Sequence, residues 1–586
     1  MTEAARVSRR RRLAAAATLG MLVLPILVAV LRPGWIQSHE GLSYPIRQVE
    51  LWRCWQDGLY SARWFPDLCH GQGYPFLSFY APLVFYLAGL GQLLGLSAVA
   101  SLKIPIVLGL LAGVAGMYRL TRLGTSRAGA LVAAALFTFA PYRLRDLFIR
   151  GDLAELLAQS FLPWALWALL RLGQRRDVRH VAAVMIAGTL AILSHNILGM
   201  FTGLCLALAA VVAVLSSRER VATAIACGVA GIGTLAGSAF FWAPALHEKQ
   251  FVQIDQLTTG HYELSRWFVP PLAFFGRGEF PGISQELPMT FELGWAQWLG
   301  ILLLVALAIG TRAGRFTSPE SPPPARRALV VLGLALLAGG LFLTTRAAAP
   351  VYAAFPLLTF VQFPWRLLAV ATVGAALLGG LGADRLADVV AGRRGWALAA
   401  GLVLASTALA WPLVGPKPNG VLPAGVLEPT SLQATRNTTT AGEYLPREVT
   451  RIGRPRSFEN GVRVEENTRV LAASRRAGRW SLRIESEAPA RVTLVDLYYP
   501  GWVATANGRL LELGATDGTG NLWFEAPAGT TDVEVRLEPL PVRRGARILS
   551  GITWIALLLA VLGARIFGAR SSGGRRRVVG RSTSTT

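Results

Sequence analysis

A chain of 586 residues that is 53% hydrophobic and 16% charged, with a mean hydropathy of +0.44, is too apolar for a water-soluble domain. Its 58 Lys and Arg against 34 Asp and Glu give a formal charge of +24, yet the basic residues sit in short clusters between apolar runs. That spacing follows the excess of Lys and Arg on cytoplasmic loops of membrane proteins and argues against a nucleic-acid partner.

In chain order, Arg9–Arg12 precede an apolar run from Leu13 to Leu31. The run is long enough to span and ends in LRPGW rather than a small-residue cleavage site, so it reads as an uncleaved first helix with a cytoplasmic N-terminus. Further runs lie near 81–96, 104–118, 128–142, 155–172, 180–197, 198–216, 221–246, 293–310, 328–345, 367–383, 396–412 and 548–566. The arginine-rich segments at 119–127, 171–180, 216–220, 311–327 and 392–394 and the C-terminal tail all fall on the cytoplasmic side if only one of the runs 81–96 and 104–118 crosses. The first of these is short, aromatic and interrupted by glycine. It is expected partly in the outer leaflet, which leaves twelve crossings.

The expected fold is therefore mostly α, a polytopic membrane protein of about 12–13 transmembrane helices. Residues 1–412 form the membrane module, 413–547 an extracytoplasmic β-rich domain, 548–568 the last transmembrane helix and 569–586 a basic cytoplasmic tail. The β assignment rests on short alternating runs such as RWSLRIES, ARVTLVDLYY and WVATANGRLLEL, with Asn507-Gly508 at a hairpin turn, and suits a β-sandwich-like domain. N- and C-termini both fall in the cytoplasm, with the chain in the cytoplasmic membrane.

The outer stretches carry polar groups that topology does not require. The first loop, 32–80, holds His39, Glu40, Asp57 and Asp67, with Trp52, Trp55, Tyr60, Trp64, Tyr74 and Tyr80 among them. These aromatics suit an interfacial belt or stacking against sugar rings. Cys54 and Cys69 share this loop, where a disulfide or two free thiols are both compatible with the spacing. The stretch YRLRDLFIRGDLAELLAQ places Arg143, Arg145, Asp146, Arg150, Asp152 and Glu155 between two spans. Asp152 fits a helix N-cap and Glu155 its first turn, whereas Arg145 and Arg150 suit an anionic ligand at the membrane surface. His195-Asn196 falls at an outer turn, and Gln362 and Arg366 lie where a span enters the outer leaflet. Arg366 suits snorkelling to headgroups or a place in the same ring of charges.

DGLYSARWFPDLCHGQGYPFLSFYAPLVFYLAGL, RGDLAELLA, LSHN, VQFPWRLL, GEYLPREV and YYPGWVATANGR, taken in order, resemble the YfhO-like proteins and their membrane 6-pyruvoyl-tetrahydropterin-synthase-related relatives, which are similar to GT-C glycosyltransferases. The resemblance implies an all-helical membrane module, an outward-facing active site and a polyprenyl-phosphate-linked sugar as donor. It also implies a catalytic acidic residue in the first external loop, where His39-Glu40 is the matching pair. On that reading Glu40 is the base and His39 orients it, while Arg145, Arg150 and Arg366 bind phosphate with His195, Asp146 and Glu155 beside them. The acceptor is a cell-envelope glycan or lipid. A divalent metal, Mg or Mn, would be sought first at Asp146 and Glu40. The rival readings are a transporter of lipid-linked sugar or solute and a non-catalytic envelope-assembly scaffold.

Overall fold

Each of the thirteen apolar runs folds as a helix. The structure, a computed structural model, describes residues 3–276, 289–313, 324–390, 392–416, 421–422, 439, 441–452 and 457–578; the end of the basic tail, 579–586, lies outside them. The helices are α1 (Glu3–Val30), α2 (Ser43–Gln56, in the first loop), α3 (Leu83–Leu93), α4 (Ala98–Thr121), α5 (Arg127–Thr138), α6 (Leu153–Gln174) and α7 (Val178–Ser194). They continue with α8 (Asn196–Leu215), α9 (Arg220–Glu248), α10 (Trp295–Arg312), α11 (Pro324–Thr344), α12 (Leu368–Val389), α13 (Gly392–Ala410) and α14 (Pro541–Val578). Ten have the length and composition of a membrane span, and α3, α5 and α7 are shorter. At 11 residues, α3 rises about 16 Å, half of a bilayer core.

Small residues set the packing of the membrane module. Helix α12 is buried along most of its length and lies against α5, α10 and α11. A methyl group at Gly300 would stand 2.8 Å from the Cα of Gly379, so these two backbones pass at glycine distance. Helix starts follow local capping. Ser97 accepts from Ala100 N at 3.2 Å, Asp152 from Glu155 N at 3.0 Å and Asp177 from His180 N at 3.0 Å.

The strands of the C-terminal domain run from Val462 to Leu537 in two antiparallel sheets. One orders β3 (Val462–Val464), β6 (Ala490–Leu497), β10 (Asn521–Ala526) and β9 (Leu513–Ala515); the other orders β4 (Thr468–Arg476), β5 (Arg479–Ser486), β11 (Gly529–Leu537), β7 (Trp502–Ala506) and β8 (Arg509–Leu510). Asn507 and Gly508, at φ 50° and 80°, close the β7–β8 hairpin. Helix α14 begins before its apolar run because its first turn carries Arg543, which pairs with buried Glu248 at the end of α9.

The first loop joins this domain to the membrane module. Trp35-Ile36 (β1) pairs with Val421-Leu422 (β2), and Leu497 N donates to Gln72 O at 2.7 Å. Trp64 is fully buried and donates to Asp496 at 2.9 Å, where Trp480 and Arg475 also converge. Asp57 accepts from Ala477 N, and Asp67 pairs with Arg53. Both carboxylates thus have structural partners. Cys54 and Cys69, the possible bridge, are instead two free, buried thiols, Cys54 facing Trp64 O at 3.5 Å.

Candidate functional site

Between α5 and α6 the chain makes a helical turn from Pro141 to Arg145, a π-turn from Asp146 to Arg150, and a left-handed residue at Gly151, φ 73°. A Cβ at position 151 would sit 2.1 Å from Ser38 Oγ, so glycine lets the first loop lie directly on this turn. His39 N donates to Ile149 O at 2.9 Å and Glu40 N to Arg150 O at 3.0 Å. Two backbone bonds therefore fix the His-Glu pair beside the arginine-bearing turn.

Arg150 is the centre of a buried cluster. Its guanidinium donates to Asp146 Oδ1 at 3.0 Å, Asp152 Oδ2 at 2.9 Å and Glu155 Oε2, and lies 4.8 Å above the Trp365 ring. Asp146 also accepts from Gln159 at 2.9 Å, and Glu155 accepts from Tyr142. Arg366 Nε stands 3.4 Å from Glu155, while its Nη1 donates to Val361 O and Gln362 Oε1 at 3.0 and 2.8 Å. Gln362 takes a positive φ of 62°, a strained conformation for this residue type. Asp152 caps α6, accepts from Tyr44 OH at 3.1 Å and faces His195 Nε2 at 3.7 Å.

Burial would raise the proton affinity of Asp152, but Arg150 and then His195 and Arg366 hold it well below the usual carboxylate range. Asp146 moves the other way, raised by burial and by the charge of Glu155. Glu40 is raised too, by burial and by Asp152, against the pull of Arg47, Arg150 and Arg366. Its side chain remains 35% exposed, so it is the open carboxylate of the group. It is a base of increased strength next to the turn that carries Arg150.

The structure thus gathers Glu40, Asp146, Arg150, Asp152, Glu155, His195 and Arg366. Arg145 points elsewhere, pairing with Glu292 at 2.5 Å. The reading of the residues missed Tyr44, Arg47, Tyr142, Gln159 and Trp365 as parts of the site. Tyr142 and Gln159 flank the acidic stretch at helical spacing, a signal that was there to be used; Tyr44 and Trp365 meet it only through long-range packing.

Asp152, Glu155 and His195 offer ligand atoms within 4.8 Å of one another, a different set from Asp146 and Glu40. Both carboxylates already hold Arg150. His195 Nδ1 accepts from Leu198 N at 3.1 Å as the cap of α8, which leaves the neutral ring's proton on Nε2, toward Asp152. The three side chains form a candidate acidic and histidine metal site, and no step below passes through a cation.

The family model described as 6-pyruvoyl-tetrahydropterin synthase related domain; membrane protein, matches residues 77–412, more than half of the chain. No curated protein matches it. Among solved structures, the arabinofuranosyltransferase AftD from Mycobacteria is similar at 20% identity and TM-score 0.44, over 69% of this chain and 27% of that one. The archaeal oligosaccharyltransferase AglB from Archaeoglobus fulgidus, in complex with an inhibitory peptide and a dolichol-phosphate, is similar at 14% identity and TM-score 0.41, over 70% and 57%. ArnT from Cupriavidus metallidurans, bound to undecaprenyl phosphate, is similar at 15% identity and TM-score 0.37, over 72% and 68%. The chain spans 27% of the length of the mycobacterial structure.

Proposed function

From a chain that belongs to the 6-pyruvoyl-tetrahydropterin synthase related family of membrane proteins, we propose a glycosyltransferase that moves a sugar from a polyprenyl-phosphate donor to a cell-envelope acceptor at the outer face of the cytoplasmic membrane. The observation that carries this reading is the pair of backbone bonds placing Glu40 beside Arg150. One exposed-side carboxylate and two buried guanidiniums then share a face at the ends of membrane helices.

In the proposed reaction the acceptor hydroxyl attacks the anomeric carbon and gives its proton to Glu40. The bond from that carbon to the phosphate oxygen breaks, and the polyprenyl phosphate leaves with the electron pair. A raised proton affinity suits Glu40 to the base role near neutral pH. Arg366 and Arg150 stabilise the charge growing on the departing oxygen. His195 and Tyr44 hold Asp152, which orients Arg150.

An apolar cavity of about 470 Å³ supports a lipid-linked donor. It lies among α6, α7, α8 and α9, lined by residues that include Gly188, Gly203, Gly228 and Gly231, and reaches Gly199, one helical turn from His195. The test is transfer of radiolabelled sugar from polyprenyl-phosphate donors by the full chain in lipid nanodiscs. Glu40→Gln is expected to lower the rate by about 10²–10⁴-fold with donor binding retained. Unchanged transfer by that variant overturns the assignment.

A second reading, a non-catalytic envelope-assembly scaffold, draws on one observation: three carboxylates already neutralise Arg150. Under that reading the wild-type protein binds no undecaprenyl phosphate.

A further inference from the structure

The geometry points to a glycan-hydroxyl subsite formed by Arg47 and Glu443, in which a neutral polyhydroxyl acceptor is held against Glu40. It rests on the glycosyltransferase reading and adds to it the acceptor's binding residues.

Arg47 lies on α2 and is 8% exposed. Its guanidinium is stacked over Phe76 at 4.5 Å and Tyr80 at 5.5 Å. Its one ion-pair partner, Glu40, is at 3.8 Å, beyond hydrogen-bond length, and among the described residues its guanidinium donates no hydrogen bond. Its guanidinium carries five N–H donors, and none of its nitrogens is fully enclosed, so they face space open to water or to a ligand. Oxygen atoms of a ligand would satisfy them.

Glu443 comes from the other end of the chain. The segment 441–449 docks on the first loop: Tyr444 N donates to Tyr74 OH at 3.0 Å, and the Tyr444 ring stacks on Phe79 at 5.1 Å. The same ring meets Phe76, the residue that carries Arg47, at 6.4 Å. Gln253 N donates to Leu445 O at 3.0 Å and anchors the far side. Glu443 is 7% exposed, and among the described residues Thr439 is the one side chain donating to it. Burial raises its proton affinity, Arg47 lowers it and Glu40 raises it, so the three charges act on one another.

Glu40 lies 3.8 Å from Arg47, and Tyr444, next to Glu443, meets the Phe76 ring that carries the guanidinium, so an acceptor, a donor and a second acceptor line one region. Adjacent sugar hydroxyls match it, each donating to a carboxylate while its oxygen accepts from Arg47. The half-buried ring of Tyr80 offers an apolar wall. An anionic acceptor would meet two carboxylates, which disfavours it. Arg47 and Glu443 keep their charges throughout; the proton of the reacting hydroxyl goes to Glu40 alone. Donor phosphate and acceptor then both border Glu40, the first at Arg150 with Arg366 and the second at Arg47 with Glu443.

The test titrates the full chain in nanodiscs with methyl hexosides and pentosides, read by saturation-transfer NMR, and with undecaprenyl phosphate, read by tryptophan fluorescence. Glu443→Gln and Arg47→Lys are each expected to weaken glycoside binding by about tenfold while the lipid phosphate affinity changes by less than about twofold. Glycoside binding unchanged in Glu443→Gln, or absent from the wild type, overturns the subsite. Equal loss of both ligands would assign the residues to folding and overturn it as well. A wild type that binds the glycosides, with the expected loss in the variants, but no undecaprenyl phosphate would strike the donor assignment and leave the subsite standing.

Discussion

Two buried clusters of carboxylate and guanidinium sit at helix ends, and their composition differs. At the junction of α9 and α14, Glu248 meets Arg543 at 2.6 Å and accepts from Tyr499 at 2.8 Å. One ion pair joins the ends of two regular helices, beside the buried guanidinium of Arg63, and the result fastens the last helix and the β-domain to the membrane module. Around Arg150, three carboxylates crowd one guanidinium, a second guanidinium waits at 3.4 Å, and the backbone runs through a π-turn, a left-handed glycine and a strained Gln362. Burial is common to both. Excess charge held by irregular backbone separates a site from a fastener.

Substitutions sharpen that contrast, and the largest effect is expected at Arg150. Arg150→Met strands three carboxylates and should cost about 3–5 kcal/mol of stability, together with loss of sugar transfer, measured by thermal unfolding and transfer assay in detergent. Adding Glu155→Leu should recover little, because Asp146 and Asp152 stay unpaired. Arg543→Met should also cost about 3 kcal/mol, but Glu248→Leu in the same chain should restore most of it, since a matched pair can be replaced by apolar packing. Equal recovery at the two clusters would break the comparison.

Gly151→Ala is expected to cost about 1–3 kcal/mol through the left-handed backbone and the contact with Ser38. It should also slow transfer by displacing Glu40, and Ser38→Gly should restore part of the rate.

The smallest effect is in pH. Glu40 holds its proton to higher pH folded than unfolded, so the folded state binds more protons and loses stability as pH rises from about 4.5 through the raised value. Glu40→Gln should therefore be slightly stabilising at neutral pH and neutral below that range. Asp152 has the opposite sign: its contribution is present at neutral pH and is lost as pH falls through its depressed value, so Asp152→Asn should destabilise at pH 7. Matched pH profiles for the two variants would contradict the field described here.

Much of the fold was legible because its signals are local. Hydrophobic runs mark thirteen of the fourteen helices named above, all but α2 of the first loop; α3 is short where glycine and aromatics interrupt it, and Asn507-Gly508 closes its hairpin. Half of the site was equally plain, since Asp146, Arg150, Asp152 and Glu155 are neighbours in sequence. What spacing could not supply is partnership across the chain. Arg145 turns to Glu292, Arg47 stands 3.8 Å from Glu40 and over the Phe76 ring, and Trp64 leaves any interfacial belt for Asp496. Tyr74 was equally ambiguous until its hydroxyl met Thr439.

The short ladder between Trp35-Ile36 and Val421-Leu422 ties a piece of chain made early to one made late. As synthesis proceeds from the N-terminus, Trp35-Ile36 therefore stays without its ladder partner until residues 421–422 have been made, and the acidic loop beside it gains that support late.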